Sequence, residues 1–181
     1  MSRDDLSSFS LQDVSMTIYA YAKAGVRAVG LFERLATELL SRDLRGFLLH
    51  GVADTVWAYA AAGVREEGIF LRFAAELSTR GDLSDCRLND ISRILWAYST
   101  IGVHAEDLFR RFAAELLSRE DLSELSQNNY VLNITRAYYS AGVHVDGLFE
   151  RLASEVDPSN VLDPELPRLL ARTTGDVFRA T

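Results

Sequence analysis

Four copies of one short segment set the terms on which this chain can fold. They read Ala20-Tyr21-Ala22-Lys23-Ala24-Gly25-Val26, Ala58-Tyr59-Ala60-Ala61-Ala62-Gly63-Val64, Ala97-Tyr98-Ser99-Thr100-Ile101-Gly102-Val103 and Ala137-Tyr138-Tyr139-Ser140-Ala141-Gly142-Val143. Their glycines stand 38, 39 and 40 residues apart, and Phe32, Phe70, Phe109 and Phe149 keep the same steps further along. A unit of this length is one supersecondary element that cannot bury its apolar face alone, so neighbouring copies must stack to make a core.

Each copy reads as two helices, A then B. In the third, Ile91, Ile94, Leu95, Tyr98 and Ile101 recur at three-and-four spacing and predict helix A over about residues 90–101. Gly102 supplies the left-handed residue that ends a helix, and Val103 makes the apolar contact that accompanies such a cap. Arg27, Arg65, His104 and His144 follow the valines and are expected to cap the last carbonyls of helix A. After the acidic link Ala105-Glu106-Asp107, helix B is expected to bury Phe109, Phe112, Ala113, Leu116 and Leu117. The expected fold is all-α: an α-solenoid of about four two-helix repeats of 38 to 40 residues over residues 1–156. Its structural positions are Tyr21, Tyr59, Tyr98 and Tyr138, Gly25, Gly63, Gly102 and Gly142, and the four phenylalanines.

Pro158, Pro164 and Pro167 all fall in the tail 157–181, where residues 165–173 are expected to form a short capping helix. At the other end Ser2-Arg3-Asp4-Asp5-Leu6 matches Ser41-Arg42-Asp43-Leu44, so the array is expected to begin inside a repeat and to belong to a longer one.

Composition narrows the function classes. With 19 Lys plus Arg against 26 Asp plus Glu, the formal charge is −7, which argues against a wholesale nucleic-acid coat. No apolar run approaches the roughly 18 to 20 residues of a membrane span, and the start lacks a secretory h-region. One cysteine, Cys86, excludes an internal disulfide framework, and three histidines leave little for a metal. There is no phosphate loop, Gly-x-Ser-x-Gly or His-Glu-x-x-His, so neither catalysis, nor a cofactor, nor a metal is expected.

The repeated polar residues divide into two sets. Helix B carries Arg34/Glu38, Arg72/Glu76, Arg111/Glu115 and Arg151/Glu155, each four apart, followed by Arg42, Arg80 and Arg119. Because each arginine brings its own glutamate, the plainer expectation is a solvated, self-neutralised face rather than a rail for phosphates, although the ladders could also bridge copies. Helix A instead changes from copy to copy. Seven residues before the repeated alanine stand Asp13, Gly51, Asp90 and Tyr130; four before it, Met16, Asp54, Arg93 and Asn133; three after it, Lys23, Ala61, Thr100 and Ser140. These offsets are expected to share one face, which either drifts without constraint or reads one element of a linear polymer per repeat. Eight before the alanine, Gln12, His50, Asn89 and Asn129 are expected to cap helix A rather than to read base edges. The aromatics just before it, Tyr19, Trp57 and Trp96, give way to Arg136 and are expected in the core rather than as a base-stacking platform.

With Leu95-Trp96-Ala97-Tyr98-Ser99-Thr100-Ile101-Gly102-Val103 and Thr55-Val56-Trp57-Ala58-Tyr59-Ala60-Ala61-Ala62-Gly63-Val64 in view, the chain resembles the octotricopeptide repeat proteins. It is also similar to helical repeats of RNA-editing complex subunits and FAST-kinase-like organellar proteins. The likeness spans about residues 1–156. It departs at the start of helix B, where a proline-rich stretch is replaced by Ala28-Val29-Gly30, Glu66-Glu67-Gly68, Ala105-Glu106-Asp107 and Val145-Asp146-Gly147. The resemblance implies a right-handed solenoid that binds single-stranded RNA in a mitochondrion or chloroplast and serves transcript stability, processing, editing or translation. It places RNA contacts at Asp13, Met16, Asp54, Asp90, Arg93, Tyr130 and Asn133. No transit peptide is read in the sequence, which otherwise predicts a soluble intracellular chain. A protein-interaction scaffold is the rival expectation, with an acidic surface that suits a partner helix or basic peptide.

Overall fold

The computed structural model describes residues 6, 8–126, 129–156, 166 and 168–170; the expectations for residues 1–5 and most of the tail lie outside them. The described residues fold into α1 (Leu11–Lys23), α2 (Val29–Ser41), α3 (Leu49–Ala61), α4 (Glu67–Thr79), α5 (Leu88–Ile101), α6 (Glu106–Ser118), α7 (Tyr130–Ala141) and α8 (Leu148–Ser154). A 3-10 turn at Ser123–Ser126 precedes α7, and the described residues contain no strand.

The odd-numbered helices are the A-helices of the sequence reading and the even-numbered ones its B-helices. α3 packs between α1 and α5, and α5 between α3 and α7, in one row; α2, α4, α6 and α8 make a second row in the same order. The A-helices contact one another over more of their length than the B-helices do, so the A row is the tighter side. This all-helical, two-row packing is consistent with an α-solenoid.

Local chemistry explains each hairpin. Every A-helix ends at a left-handed glycine, with φ of +69° at Gly25, +63° at Gly63, +74° at Gly102 and +66° at Gly142. The next valine N–H returns to the tyrosine carbonyl five residues back: Val26 to Tyr21 at 2.9 Å, Val64 to Tyr59 at 3.0 Å, and Val103 to Tyr98 and Val143 to Tyr138 at 3.2 Å. Only a residue without a Cβ enters that turn at no steric penalty. The residues after the valines do not cap their own helix as expected. Arg27 instead reaches forward to the Gly63 carbonyl at 3.0 Å, and the exposed His144 lies 3.8 Å from Asp146 and beside the Phe149 ring. His104 is likewise exposed.

The tyrosines and phenylalanines of the repeat meet as joints between copies. Tyr59 Oη donates to the Phe32 carbonyl at 2.7 Å, Tyr98 Oη to Phe70 at 2.6 Å and Tyr138 Oη to Phe109 at 2.7 Å. In each joint the rings also meet edge-on, with centroids 5.2, 5.0 and 5.1 Å apart. Burial pushes all three phenols well above the usual tyrosine range. Among the described residues Tyr21, in the first copy, makes no such joint, and it is 38% exposed.

The loops between copies repeat as closely. Leu44, Leu83 and Leu122 are buried, each one residue after an aspartate whose carboxylate accepts a backbone N–H two residues on: Arg45 at 3.0 Å, Ser84 and Ser123 at 2.8 Å. Arginines then bind the loops that precede α1, α3 and α5. Arg42 donates to the carbonyls of Leu6 (2.8 Å) and Phe9, Arg80 to Phe47 (3.1 Å), and Arg119 to Leu83 (3.1 Å) and Cys86 (2.6 Å). Arg111 and Arg151 add bonds to Gly81 and Glu120 at 3.2 and 3.1 Å. The expectation of a merely solvated ladder is therefore corrected for these arginines: they donate to loop carbonyls, with Glu38, Glu76, Glu115 and Glu155 holding the guanidiniums.

One further expectation changes. Leu117 is 38% exposed rather than buried, because the buried stripe of α6 runs through Leu108, Phe109, Phe112, Ala113 and Leu116, one step round the helix. Within 165–173, residues 166 and 168–170 are helical, and Leu166, Leu169 and Leu170 are buried.

Candidate nucleic-acid interface

The solvent-facing stripe of the A row is set by helix geometry. At roughly 100° per residue, offsets −8, −4, −1 and +3 from the repeated alanine fall within an arc of about 60°, whereas −7 lies about 20° from the alanine itself. Ala58, Ala97 and Ala137 are fully buried, so the −7 slot follows them inward. The open stripe is Gln12, Met16, Tyr19 and Lys23 on α1; His50, Asp54, Trp57 and Ala61 on α3; Asn89, Arg93, Trp96 and Thr100 on α5; and Asn129, Asn133, Arg136 and Ser140 at α7. All sixteen are half-buried or exposed.

This corrects three expectations. The −8 residues do not cap helix A: Gln12, His50 and Asn89 lie inside their helices, whose N-caps are Ser10, Leu48 and Arg87, and Asn129 stands at the N-cap of α7 without a side-chain cap bond. The aromatics at −1 are not fully buried: Trp57 and Trp96 are half-buried and packed against the core, and Tyr19 is half-buried with its ring 5.4 Å from that of Trp57. The −7 residues leave the stripe. Gly51 is buried, where a Cβ would stand 2.5 Å from the Phe47 ring.

The seven candidate contacts thus separate. Met16, Asp54, Arg93 and Asn133 lie on the open stripe, with Met16 58% exposed. Asp90 is buried in the first turn of α5, where Arg87 Nε donates to it at 2.8 Å. Asp13 is exposed but committed to a capping box: Ser10 N–H donates to Asp13 Oδ2 at 2.8 Å, and Asp13 N–H to Ser10 Oγ at 3.1 Å. The Ser10 hydroxyl, which donates to Asp13 Oδ2 at 2.7 Å, and after it the Ser10 N–H hold the carboxyl below the ordinary aspartate range. Tyr130 begins α7, half-buried and off the stripe.

One cluster joins three successive copies. Arg93 Nη1 on α5 donates to Asp54 Oδ1 on α3 at 2.6 Å, the two side chains 19% and 22% exposed. The Arg93 Cζ stands 5.4 Å from the Tyr19 ring centroid on α1 and 5.2 Å from that of Trp57 on α3. The two rings are themselves 5.4 Å apart. A guanidinium over two half-buried rings is attracted by both quadrupoles, each such contact contributing about 0.5–2 kcal/mol. The cluster carries a cation, a carboxylate with free lone pairs and two aromatic surfaces, which suits stacking and edge-on hydrogen bonding rather than bond-making chemistry.

The described residues contain no group of three metal-ligating side chains, and no helix among them is long and apolar enough to cross a membrane. The geometry defines an all-helical repeat packing with a variable polar and aromatic stripe along one row. No family model, curated protein or solved structure matches the chain.

Proposed function

We propose that this chain is an α-solenoid segment of four two-helix repeats that binds single-stranded RNA along its A-helices. One observation carries the reading: four in-phase helices expose the same four offsets, and the residues there differ from copy to copy while those between copies do not. A scaffold of that kind places one set of side chains beside each successive unit of a polymer. Aromatic Tyr19, Trp57 and Trp96 offer stacking, which is tolerant of sequence, and their neighbours Asp54, Arg93 and Asn133 offer hydrogen bonds. The resemblance supplies the setting, organellar RNA metabolism.

Both tryptophans of the chain, Trp57 and Trp96, stand on this stripe, so their fluorescence reports on it directly. Titration with a random-sequence single-stranded RNA pool is expected to quench it saturably, with single-stranded DNA binding more weakly. The stripe offers no more than three cations, Lys23, Arg93 and Arg136, so log K is expected to fall with log salt no more steeply than about −2. Arg93→Glu should weaken binding in a normally folded protein. Absence of quenching at low salt would overturn the reading.

A second reading, a protein-interaction scaffold, is favoured by a different observation. Arg42, Arg80, Arg111, Arg119 and Arg151 are engaged with loop carbonyls, and the chain carries a formal charge of −7. Binding of a basic helical peptide to the same stripe, with no response to RNA, would establish it.

A further inference from the structure

We infer that the second copy selects guanine, through the Asp54 carboxylate that Arg93 holds beside Trp57. The inference rests on the RNA-binding reading and adds a base identity to one position of it. Asp54 Oδ1 accepts from Arg93 Nη1 at 2.6 Å, and Arg93 is in turn fixed over the Tyr19 and Trp57 rings, so the carboxylate is oriented before any ligand arrives. At 22% exposure it is neither sealed in the core nor freely rotating in water. Asp54 stands on the stripe three residues before Trp57 on the same helix, and among the described residues Arg93 is the one hydrogen-bond donor to its carboxylate.

A carboxylate accepts hydrogen bonds and offers none. Guanine alone among the four bases presents two adjacent donors, N1–H and the N2 amino group, to such a pair of oxygens. Adenine and cytosine each place one amino donor beside a ring nitrogen that is itself an acceptor, and uracil sets one N–H between two carbonyls. Their acceptors would face the carboxylate and be repelled. Guanine can make both bonds, and Arg93 offsets the negative charge that would otherwise oppose a phosphate nearby. The pairing distinguishes bases by roughly 10-fold or more in affinity, as a good bidentate contact does.

The test is fluorescence anisotropy of the whole chain with eight-nucleotide RNAs whose flanks are random in A, C and U, and whose central base is G, A, C, U or inosine. Guanine is expected to bind about 10-fold tighter than A, C or U, with inosine, which lacks the N2 amino group, losing most of that advantage. Asp54→Asn should abolish the preference while retaining RNA binding, and Asp13→Asn should leave it intact. The inosine comparison needs no variant, so it decides the matter even where Asp54→Asn folds poorly. RNAs that bind alike whatever the central base, or that favour another base, would overturn the guanine assignment and leave the RNA-binding reading standing. Failure of every RNA to bind at low salt would overturn both.

Discussion

Replacing Tyr98 with phenylalanine removes one oxygen atom from a joint between copies and nothing else. The ring remains edge-on to Phe70 at 5.0 Å, while the donor to the Phe70 carbonyl, at 2.6 Å, is lost. That carbonyl lies inside α4 and keeps its helical N–H partner, so no buried acceptor is orphaned. The loss is then the net contribution of one hydrogen bond, about 1 kcal/mol. A urea dependence of about 1–3 kcal/mol/M converts this to a midpoint lowered by roughly 0.3–1 M. Tyr21→Phe is the internal control, since Tyr21 has the same place in the repeat but is 38% exposed and makes no joint; it should change stability by less than about 0.5 kcal/mol. Tyr59→Phe and Tyr138→Phe should match Tyr98→Phe, and the three together should lose about 3 kcal/mol, because the joints lie in different copies and share no partner. Equal shifts for Tyr98→Phe and Tyr21→Phe in urea melts followed by circular dichroism would refute the joint. So would a triple variant no less stable than a single one.

Two other expectations follow from the same contacts. Arg119→Ala should lower stability by about 2 kcal/mol, because it frees the Cys86 carbonyl and leaves the nearly buried Glu115 with only Arg111, 3.9 Å away, whereas Arg110→Ala, which breaks only an exposed pair with Glu106, should change it by less than about 0.5 kcal/mol. Equal urea midpoints for the two variants would sink the distinction. Burial pushes the Cys86 thiol up to about 12 from an ordinary 9, and the three joint phenols upward from about 10. The unfolded chain therefore releases these protons first, so stability is intact below about pH 9 and falls as pH rises above it. A urea midpoint that holds from pH 8 to 11, or rapid reaction of native Cys86 with a thiol reagent at pH 8, would contradict the burial.

What was legible in the sequence was whatever the repeat itself encodes. The spacing of Gly25, Gly63, Gly102 and Gly142 located the ends of the A-helices, and Ile91, Ile94, Leu95 and Tyr98 located a buried stripe that the structure retains. What was not legible was phase finer than one residue and contact between residues far apart in the chain. The variable slot at −7 looks adjacent to −4 when offsets are counted, yet Asp90 turns inward, because seven residues return almost to the alanine's own direction. Attention to that 20° difference would have moved Asp90 out and Trp57 and Trp96 in. The destination of Arg42, Arg80 and Arg119 had a weaker signal. An arginine four residues after a glutamate reads as a surface pair, and only the fold brings carbonyls some 33 residues upstream under the guanidinium.

The division of labour between these two sets bears on whether the open stripe is a site or a drifting surface. Assembly draws on the tyrosine Oη groups, the phenylalanine rings and carbonyls, and the arginines of the B-helices, together with loop carbonyls that any residue supplies. None of these contacts uses the −8, −4, −1 or +3 residues, and a surface under no demand would relax toward small or flexible polar groups. Two tryptophans half in water run against that relaxation. So does an arginine laid over two rings and paired with a carboxylate on the next helix, since ordering a long cationic side chain loses rotamer entropy of up to about 2 kcal/mol that exposed ion pairs rarely return. The tyrosine contact is common to the junctions between the second and third copies, Tyr98 on α5 to Phe70 on α4, and between the third and fourth, Tyr138 on α7 to Phe109 on α6, whereas the slot that holds Arg93 in the third copy holds Asn133 in the fourth. A feature that is ordered, half-exposed and absent from the equivalent place one copy on is what a unit with its own specificity requires.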